Sequence, residues 1–342
     1  KTFENRSPVD ARLLGLVSEA GAPEVDAAVE AARAALAGPW GALEMAERTE
    51  LLYAVANEIN RRFDDFLEAE VADTGKPASL AKHIDIPRGA ANFKIFADVV
   101  KNVPSEFFQM ATPDKKGAIN YAIRVPKGVI AVIAPWNLPL LLMTWKVGPA
   151  LACGNTVVLK PAELTPLSAL RLAELALEAG IPEGVLNVIV GKGSVVGQRL
   201  VEHPDVAKIG FTGSTEVGRT VMEGAAATIK RVTLELGGKS ANVVFADADL
   251  EKAAAAAPYA VFDNAGQDCC ARSRILVERS AYDRFADLLV TATRKIKVGD
   301  PTDESTEMGP LISAQHRETV ASFGDGEPLY RGDTPTGKGY WY

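Results

Sequence analysis

Cys269, Glu235 and Asn137 are the residues whose types and settings suit covalent chemistry: a thiol nucleophile, a carboxylate base and an amide donor. Cys269 lies in the Gly- and Gln-rich turn FDNAGQDCC, after a helical pattern that ends near Phe262. Cysteines in partly open, dipole-rich turns are the ones with a lowered pKa. On this turn alone the blander reading of a lone Cys, a small buried hydrophobe, takes precedence. Cys153, in the apolar helix PALACGN, receives that reading outright, and Cys270 is expected to point elsewhere. Glu235 lies one residue before the end of the apolar run VTLEL, just ahead of Gly237 and Gly238, where backbone can approach a ligand closely. Partly buried there, it would have a raised pKa and act as a base; the alternative is an ion pair with Lys239 or a nearby Arg. Asn137, in APWNLPL, is held between Trp136 and Pro139, a stiff setting for presenting an amide to an oxyanion; otherwise it is a turn-forming Asn.

A second group of residues suits ligand binding. Lys160 and Glu163, in LKPAE, follow an apolar run and could hydrogen-bond the hydroxyls of a ribose; a surface salt bridge is the alternative. GSTEVG, from Gly213 to Gly218, follows AKIGFT and opens a helix, so its N–H groups and dipole favour a phosphate. Neither this segment nor the nearby GKGSVVG has the GxGxxG spacing, so the glycines alone are a weak indication. His83, His203 and His316 lack metal-ligand spacing, and no metal is expected.

The elements that must position these residues follow from periodicity. The first third reads as helical. PEVDAAVEAARAALAGPW puts Val25, Ala28, Val29, Ala32 and Leu36 on one stripe and ends at Gly38 and Pro39. A second helix carries Leu52, Val55, Ile59, Phe63 and Leu67 and closes at DTGKP; both stripes read as packing. From about residue 128 short apolar runs alternate with amphipathic helices: GVIAVIAPW, NTVVLKP, GVLNVIVG, AKIGFTGS, RVTLELGG and ANVVFADA. That alternation predicts a parallel sheet covered by helices on both faces, with ligands beyond the carboxyl ends of its strands. A further lobe is expected to begin near Leu236, with a strand in SRILVERS and a helix from Tyr282 to Lys297.

At this length and 47% hydrophobic content, two or more lobes are expected. A net charge of −7 with no long basic stretch argues against nucleic-acid and anionic-membrane partners. Three cysteines, two of them adjacent, make no disulfide framework, so a reducing, cytoplasmic setting is expected. No apolar run has the ~20 residues of a spanning helix. Both ends read as incomplete: GKGYWY stops on a strand-like run, and TVASFGDGEPLYRGD passes abruptly from helix to Gly-rich coil.

Taken together, PWNLPL, LKPAELTP, FTGSTEVG, LELGGKSANVV and NAGQDCC, in this order and spacing, resemble the aldehyde dehydrogenase superfamily across nearly the whole chain. The resemblance implies an α/β fold. Residues 1–235 would form an N-terminal helical region with a Rossmann-type parallel-sheet NAD domain, and 236–342 an α/β catalytic domain without its C-terminal part. It implies Cys269 as nucleophile, Glu235 as general base and Asn137 as oxyanion donor. Cofactor contacts fall on Trp136, Lys160, Glu163, Gly213, Ser214, Gly218 and Leu236. Glu163 would repel a 2′-phosphate, which favours NAD over NADP. A homodimer or homotetramer is implied.

HIDIPRGAANFKIFAD and LPLLLMTWKVGPALACGN resemble the 2-hydroxymuconic and 2-aminomuconic semialdehyde dehydrogenase branch. Arg88 would then bind the substrate carboxylate, beside Leu138; a salt bridge with Asp85 is the alternative. GSTEVG and GQDCCARSR look more like the general superfamily, and Asp268 beside the nucleophile is unusual for the branch and tends to raise the thiol pKa. Betaine-aldehyde-like or broad aldehyde oxidation therefore stays open. So do a non-catalytic protein retaining the fold and acyl transfer to coenzyme A or phosphate, against which Glu235 favours water. The family's downstream Glu-Ile-Phe-Gly-Pro segment and oligomerisation strand are absent from this sequence.

Overall fold

Five apolar runs do form one parallel sheet, and their order explains where a ligand would sit. The computed structural model describes residues 1–324 and 326–342; Asp325, in the passage where helix gives way to coil, lies outside them. Strands β1 (Thr2–Arg6) and β2 (Leu13–Ser18) pair antiparallel, as do β3 (Phe107–Met110) and β4 (Ala118–Tyr121). The central sheet consists of β5 (Val129–Ile133), β6 (Thr156–Lys160), β7 (Leu186–Val188), β8 (Val206–Gly213) and β9 (Arg231–Leu236). Its order is β7-β6-β5-β8-β9, parallel throughout. The chain runs outward from β5 through β6 to β7, then returns to β8 on the other side of β5. The crevice beyond the carboxyl ends of β5 and β8 is therefore the topological switch point.

Both faces of this sheet are dry at its centre. Every residue of β5 and β6 is buried, as expected of a parallel sheet between two helical layers. Alternate side chains go to opposite cores. Ile130 and Val132 pack with Leu52, Ile59, Phe93, Leu140 and Leu172, while Val129, Ala131 and Ile133 pack with Val25, Val29, Ile209 and Val221. Each such Val or Ile contributes roughly 1.5–3 kcal/mol by leaving water. A smaller core of Val244, Leu250, Ala254 and Phe285 lies under β10 (Ala241–Val244) and β11 (Arg274–Val277), a separate parallel pair.

The structure corrects several expectations. The first third holds two hairpins besides its helices; only one residue of β1 is buried, and β3 is exposed throughout, so neither strand shows the apolar alternation that marks a half-buried one. ANVV pairs with β11 instead of extending the main sheet. The stripe read as one second helix is two, Met45–Arg61 and Phe63–Thr74, separated at Arg62 by a non-helical φ of −100° and ψ of 33°. The second of these buries Glu70 and Asp73 as well as Phe66, so its inner face is not packing alone. The helix expected over residues 282–297 stops at Thr293. Among the described residues no helix is long and apolar enough to cross a membrane.

Candidate active site

The residues singled out by chemistry gather where strands end. Asn137 follows β5, Lys160 closes β6, Gly213 closes β8 and Glu235 is the penultimate residue of β9. Strands about 4.8 Å apart put the Lys160 and Glu235 ends, three strand steps apart, about 14 Å from one another.

The turn ahead of Cys269 has an unusual backbone. Asn264, Ala265 and Gly266 all take left-handed φ values, 51°, 55° and 76°. Two non-glycine residues in that region are strained, and such strain persists only where the surroundings overdetermine it. Gln267 supplies that restraint: its side-chain amide donates to Asn264 O at 3.1 Å, and its Oε1 accepts from Ile312 N at 2.9 Å. Its backbone carbonyl accepts from Asn137 Nδ2 at 2.8 Å, and Asn264 Nδ2 donates to Asn137 O at 3.0 Å. The Asn137 loop and the cysteine turn, 127 to 130 residues apart in sequence, are thus bolted together. One N–H of the Asn137 amide is engaged by the Gln267 carbonyl; an amide has a second to offer.

Cys269 is exposed, and the setting does not lower its pKa as the turn suggests. The atoms around Sγ desolvate it, the Asp268 charge adds to this, and the thiol is pushed up to about 11. Sγ of Cys269 lies 3.6 Å from Asp268 Oδ1; Cys270 Sγ donates at 3.3 Å to the same carboxylate, which also caps the Cys270 N–H. Cys270 therefore faces Asp268 and does not point away. Cys153 is exposed too: it caps the Pro139–Ala152 helix and is not a buried hydrophobe.

Glu235 is exposed, where partial burial was expected, and no ion pair to Lys239 or any Arg forms among the described residues. Of the two glycines after it, Gly238 lies close to the cysteine turn, where a Cβ would stand 3.0 Å from the Cys269 carbonyl oxygen, while Gly237 faces open space. Within Coulombic reach of both Glu235 and Cys269 is a residue the sequence did not single out. Lys146, half-buried on the Pro139–Ala152 helix, donates to Thr212 Oγ1, and both the Glu235 and the Cys269 charge act on it. Burial lowers its pKa, against those two charges. Lys146 is the one charged residue in PLLLMTWKVGPALA, which is the mark by which it was legible.

Farther along the crevice, Lys160 Nζ donates to Glu163 Oε2 at 2.8 Å and Glu163 Oε1 accepts from Gly193 N at 2.9 Å. This is a part-buried clasp, not the loose surface bridge of the alternative reading, and it brings GKGSVVG to the pair. Gly193 faces open space at this rim. Ser214 caps the Thr215–Ala226 helix through Val217 N, leaving the exposed first turn a fit for an anion. Gly218 has a packing role: a Cβ there would lie 2.6 Å from Leu236, so these two contact each other. A Cβ on Gly213 would likewise meet Phe211 at 2.5 Å. Trp136 stands edge-on to His316 at 5.1 Å, a contact no local sequence feature announces. The Lys160–Glu163 pair and the capped helix end offer a polar set that fits a dinucleotide. Arg88 is exposed and without an ion-pair partner among the described residues, because Asp85 is taken by Lys76. Leu138, half-buried, leads into the Pro139–Ala152 helix.

Comparison with known proteins agrees with this geometry. The family model described as "Aldehyde dehydrogenase family" matches residues 1–327. A 2-hydroxymuconic semialdehyde dehydrogenase of Pseudomonas sp. (strain CF600) is 57% identical over 324 residues, 94% of this chain and 67% of that protein. A 2-aminomuconic 6-semialdehyde dehydrogenase of Pseudomonas sp. is 49% identical, with 94% and 66% covered. The crystal structure of PnpE in complex with nicotinamide adenine dinucleotide superposes with a TM-score of 0.95 at 42% identity, covering all of this chain and 71% of that one. The chain spans about two thirds of the length of the curated relatives it matches. By motif order, sheet topology and these likenesses, the chain belongs to the aldehyde dehydrogenase family.

Proposed function

We propose that the chain oxidises an aldehyde bearing a distal carboxylate, of the 2-hydroxymuconic or 2-aminomuconic semialdehyde kind, to the acid with NAD. The observation that carries the chemistry is the Asn137–Gln267 bond, which fixes an amide donor two residues from the nucleophile. The semialdehyde class rests on Arg88, an exposed guanidinium without an ion-pair partner among the described residues, and on the names of the relatives above.

The Cys269 thiolate attacks the aldehyde carbon, and the resulting oxyanion is held by the free N–H of Asn137 and the Cys269 backbone N–H. Lys160 and Glu163 would hold the ribose of NAD, and Trp136, Gly213 and Ser214 its pyrophosphate; the bound cofactor would supply the hydride acceptor. Gly218 and Leu236 support that wall by packing on each other. Glu235 then takes a proton from the water that cleaves the thioester, releasing the carboxylate and restoring the Cys269 thiol. The Lys146 ammonium, on which the Cys269 charge acts, favours the thiolate in return.

The exposed apolar hairpin, with Phe107 and Tyr121 at 71% and 69% exposure, supports self-association into a homodimer or homotetramer. Three free cysteines suit a reducing cytoplasm. Initial rates of NADH formation across paired aldehydes with and without a distal carboxylate test the reading. A preference for the carboxylated member that Arg88→Ala abolishes is expected; equal rates for both members point to a betaine-aldehyde-like or broad oxidase. No NADH from any aldehyde would leave a non-catalytic protein of the same fold.

A further inference from the structure

Past the left-handed Gly75, Lys76 turns back into the protein, and its side chain is fully buried together with those of Glu70 and Asp85. Lys76 Nζ donates to Asp85 Oδ2 at 2.6 Å and stands 3.6 Å from Glu70 Oε1. Glu70 Oε2 in turn accepts from Ser168 Oγ at 2.7 Å and from Leu140 N at 3.4 Å. Asp85 Oδ1 and Glu70 Oε1 have no hydrogen-bond partner among the described residues. One ammonium between two carboxylates with unsatisfied oxygens is a poor stabiliser, since apolar side chains of equal volume hold helices together as well or better. What such a cluster adds is direction.

The elements it directs are those that carry the substrate candidates. Asp85 closes the π-helical turn Ala81–Asp85, which runs without interruption into the Ile86–Lys101 helix bearing Arg88. A π turn holds one residue more than an α turn, so it sets the rotation about the axis at which Arg88 emerges. Leu140 N belongs to the first turn of the helix that follows Asn137 and Leu138. Arg88 and Asp268, the neighbour of the nucleophile, are both within Coulombic reach of the Asp85 carboxylate.

We infer that Lys76 is a positioning residue for substrate choice. Through Asp85 it fixes the helical turn that aims Arg88 at the substrate carboxylate, and through Glu70 it anchors the turn that follows Asn137 and Leu138. The inference rests on the reading of Arg88 given above.

The test is a cycle of Asp85→Asn and Arg88→Ala, read as KM and kcat for a carboxylated aldehyde and its uncharged isostere. Asp85→Asn keeps the side-chain shape and lowers the buried negative charge, and Lys76→Met serves as a second variant. Either is expected to raise KM for the carboxylated aldehyde about tenfold, with kcat and the isostere's KM within about twofold. In the Arg88→Ala background Asp85→Asn is expected to add nothing. Equal effects on both aldehydes, additive effects in the double variant, no change in KM, or loss of the fold in both single variants would each overturn the positioning role. If Arg88→Ala by itself leaves the preference intact, the substrate reading fails and the positioning role falls with it; if Arg88→Ala abolishes the preference and the Asp85 and Lys76 variants do not, only the positioning role falls.

Discussion

Replacing Asp268 by Asn is expected to make Cys269 more reactive. The Asp268 carboxylate lies 3.6 Å from the Cys269 sulfur and is, after burial, the next cause of its high pKa of about 11. At an effective dielectric of 20 a unit charge at that distance would act with roughly 5 kcal/mol, but Cys269 is exposed and the medium is closer to water. At dielectric constants between about 40 and 80 the interaction is about 1–2 kcal/mol, which means roughly five- to thirtyfold more thiolate at a given pH. The same substitution turns a charged acceptor of both S–H groups into a neutral amide, whose oxygen holds the thiol form less strongly and whose N–H can meet a thiolate, so the two effects have one sign. The assay is the pH dependence of Cys269 alkylation by iodoacetamide, followed by mass spectrometry in a Cys270→Ser background. Asp268→Asn should move the profile to lower pH. A profile that stays put, or moves to higher pH, would show that the carboxylate does not restrain the thiol and would refute the electrostatic reasoning.

Three further outcomes follow from the geometry. Glu235→Gln should keep the first burst of NADH but slow the steady rate by roughly 10²–10⁴-fold, since only deacylation needs that base; an unchanged steady rate would remove Glu235 from the mechanism. Lys146→Met, which deletes the ammonium beside Glu235 and Cys269, should slow Cys269 alkylation severalfold near neutral pH, and faster alkylation would contradict it. Asp73, where burial raises the pKa to about 7 from 3.8, keeps its proton in the folded chain after the unfolded chain has lost it. Stability supplied by that proton is full at acid pH and lost as pH rises toward 7, by up to about 1.4 kcal/mol per pH unit. Melting temperatures at pH 5 and 8 should therefore differ less in Asp73→Asn than in the parent; an equal difference would place Asp73 outside the pH response.

The sheet was legible because β5 and β6 are buried on both faces and so read as unbroken apolar runs, each with its useful residue just past the end. Asn137 and Lys160 could be found for that reason, whereas Cys269 stood out by residue type in a Gly- and Gln-rich turn. Lys146 escaped because its meaning comes from Thr212, Glu235 and Cys269, brought to it by three separate strand ends and turns. Lys76 escaped because DTGKP reads as a helix stop, and nothing local says that the lysine turns inward. The expected low pKa of Cys269 failed because turn geometry is a local property, whereas desolvation and the Asp268 charge depend on how the side chains settle. Strand β3 offered no alternation to read, since all four of its residues are exposed.

The left-handed run Asn264–Ala265–Gly266 makes heat sensitivity uneven across the molecule. A backbone held in a costly conformation by the bonds of one glutamine is the part that lets go first, well below the temperature at which the dry central sheet melts. When Gln267 releases, the Asn137 amide loses its acceptor and Cys269 its place, while the helices and strands elsewhere are expected to stay folded. Warming should therefore silence the thiol while circular dichroism still reports a folded chain. The half-life of activity then measures the tether of a single turn and not the stability of the fold.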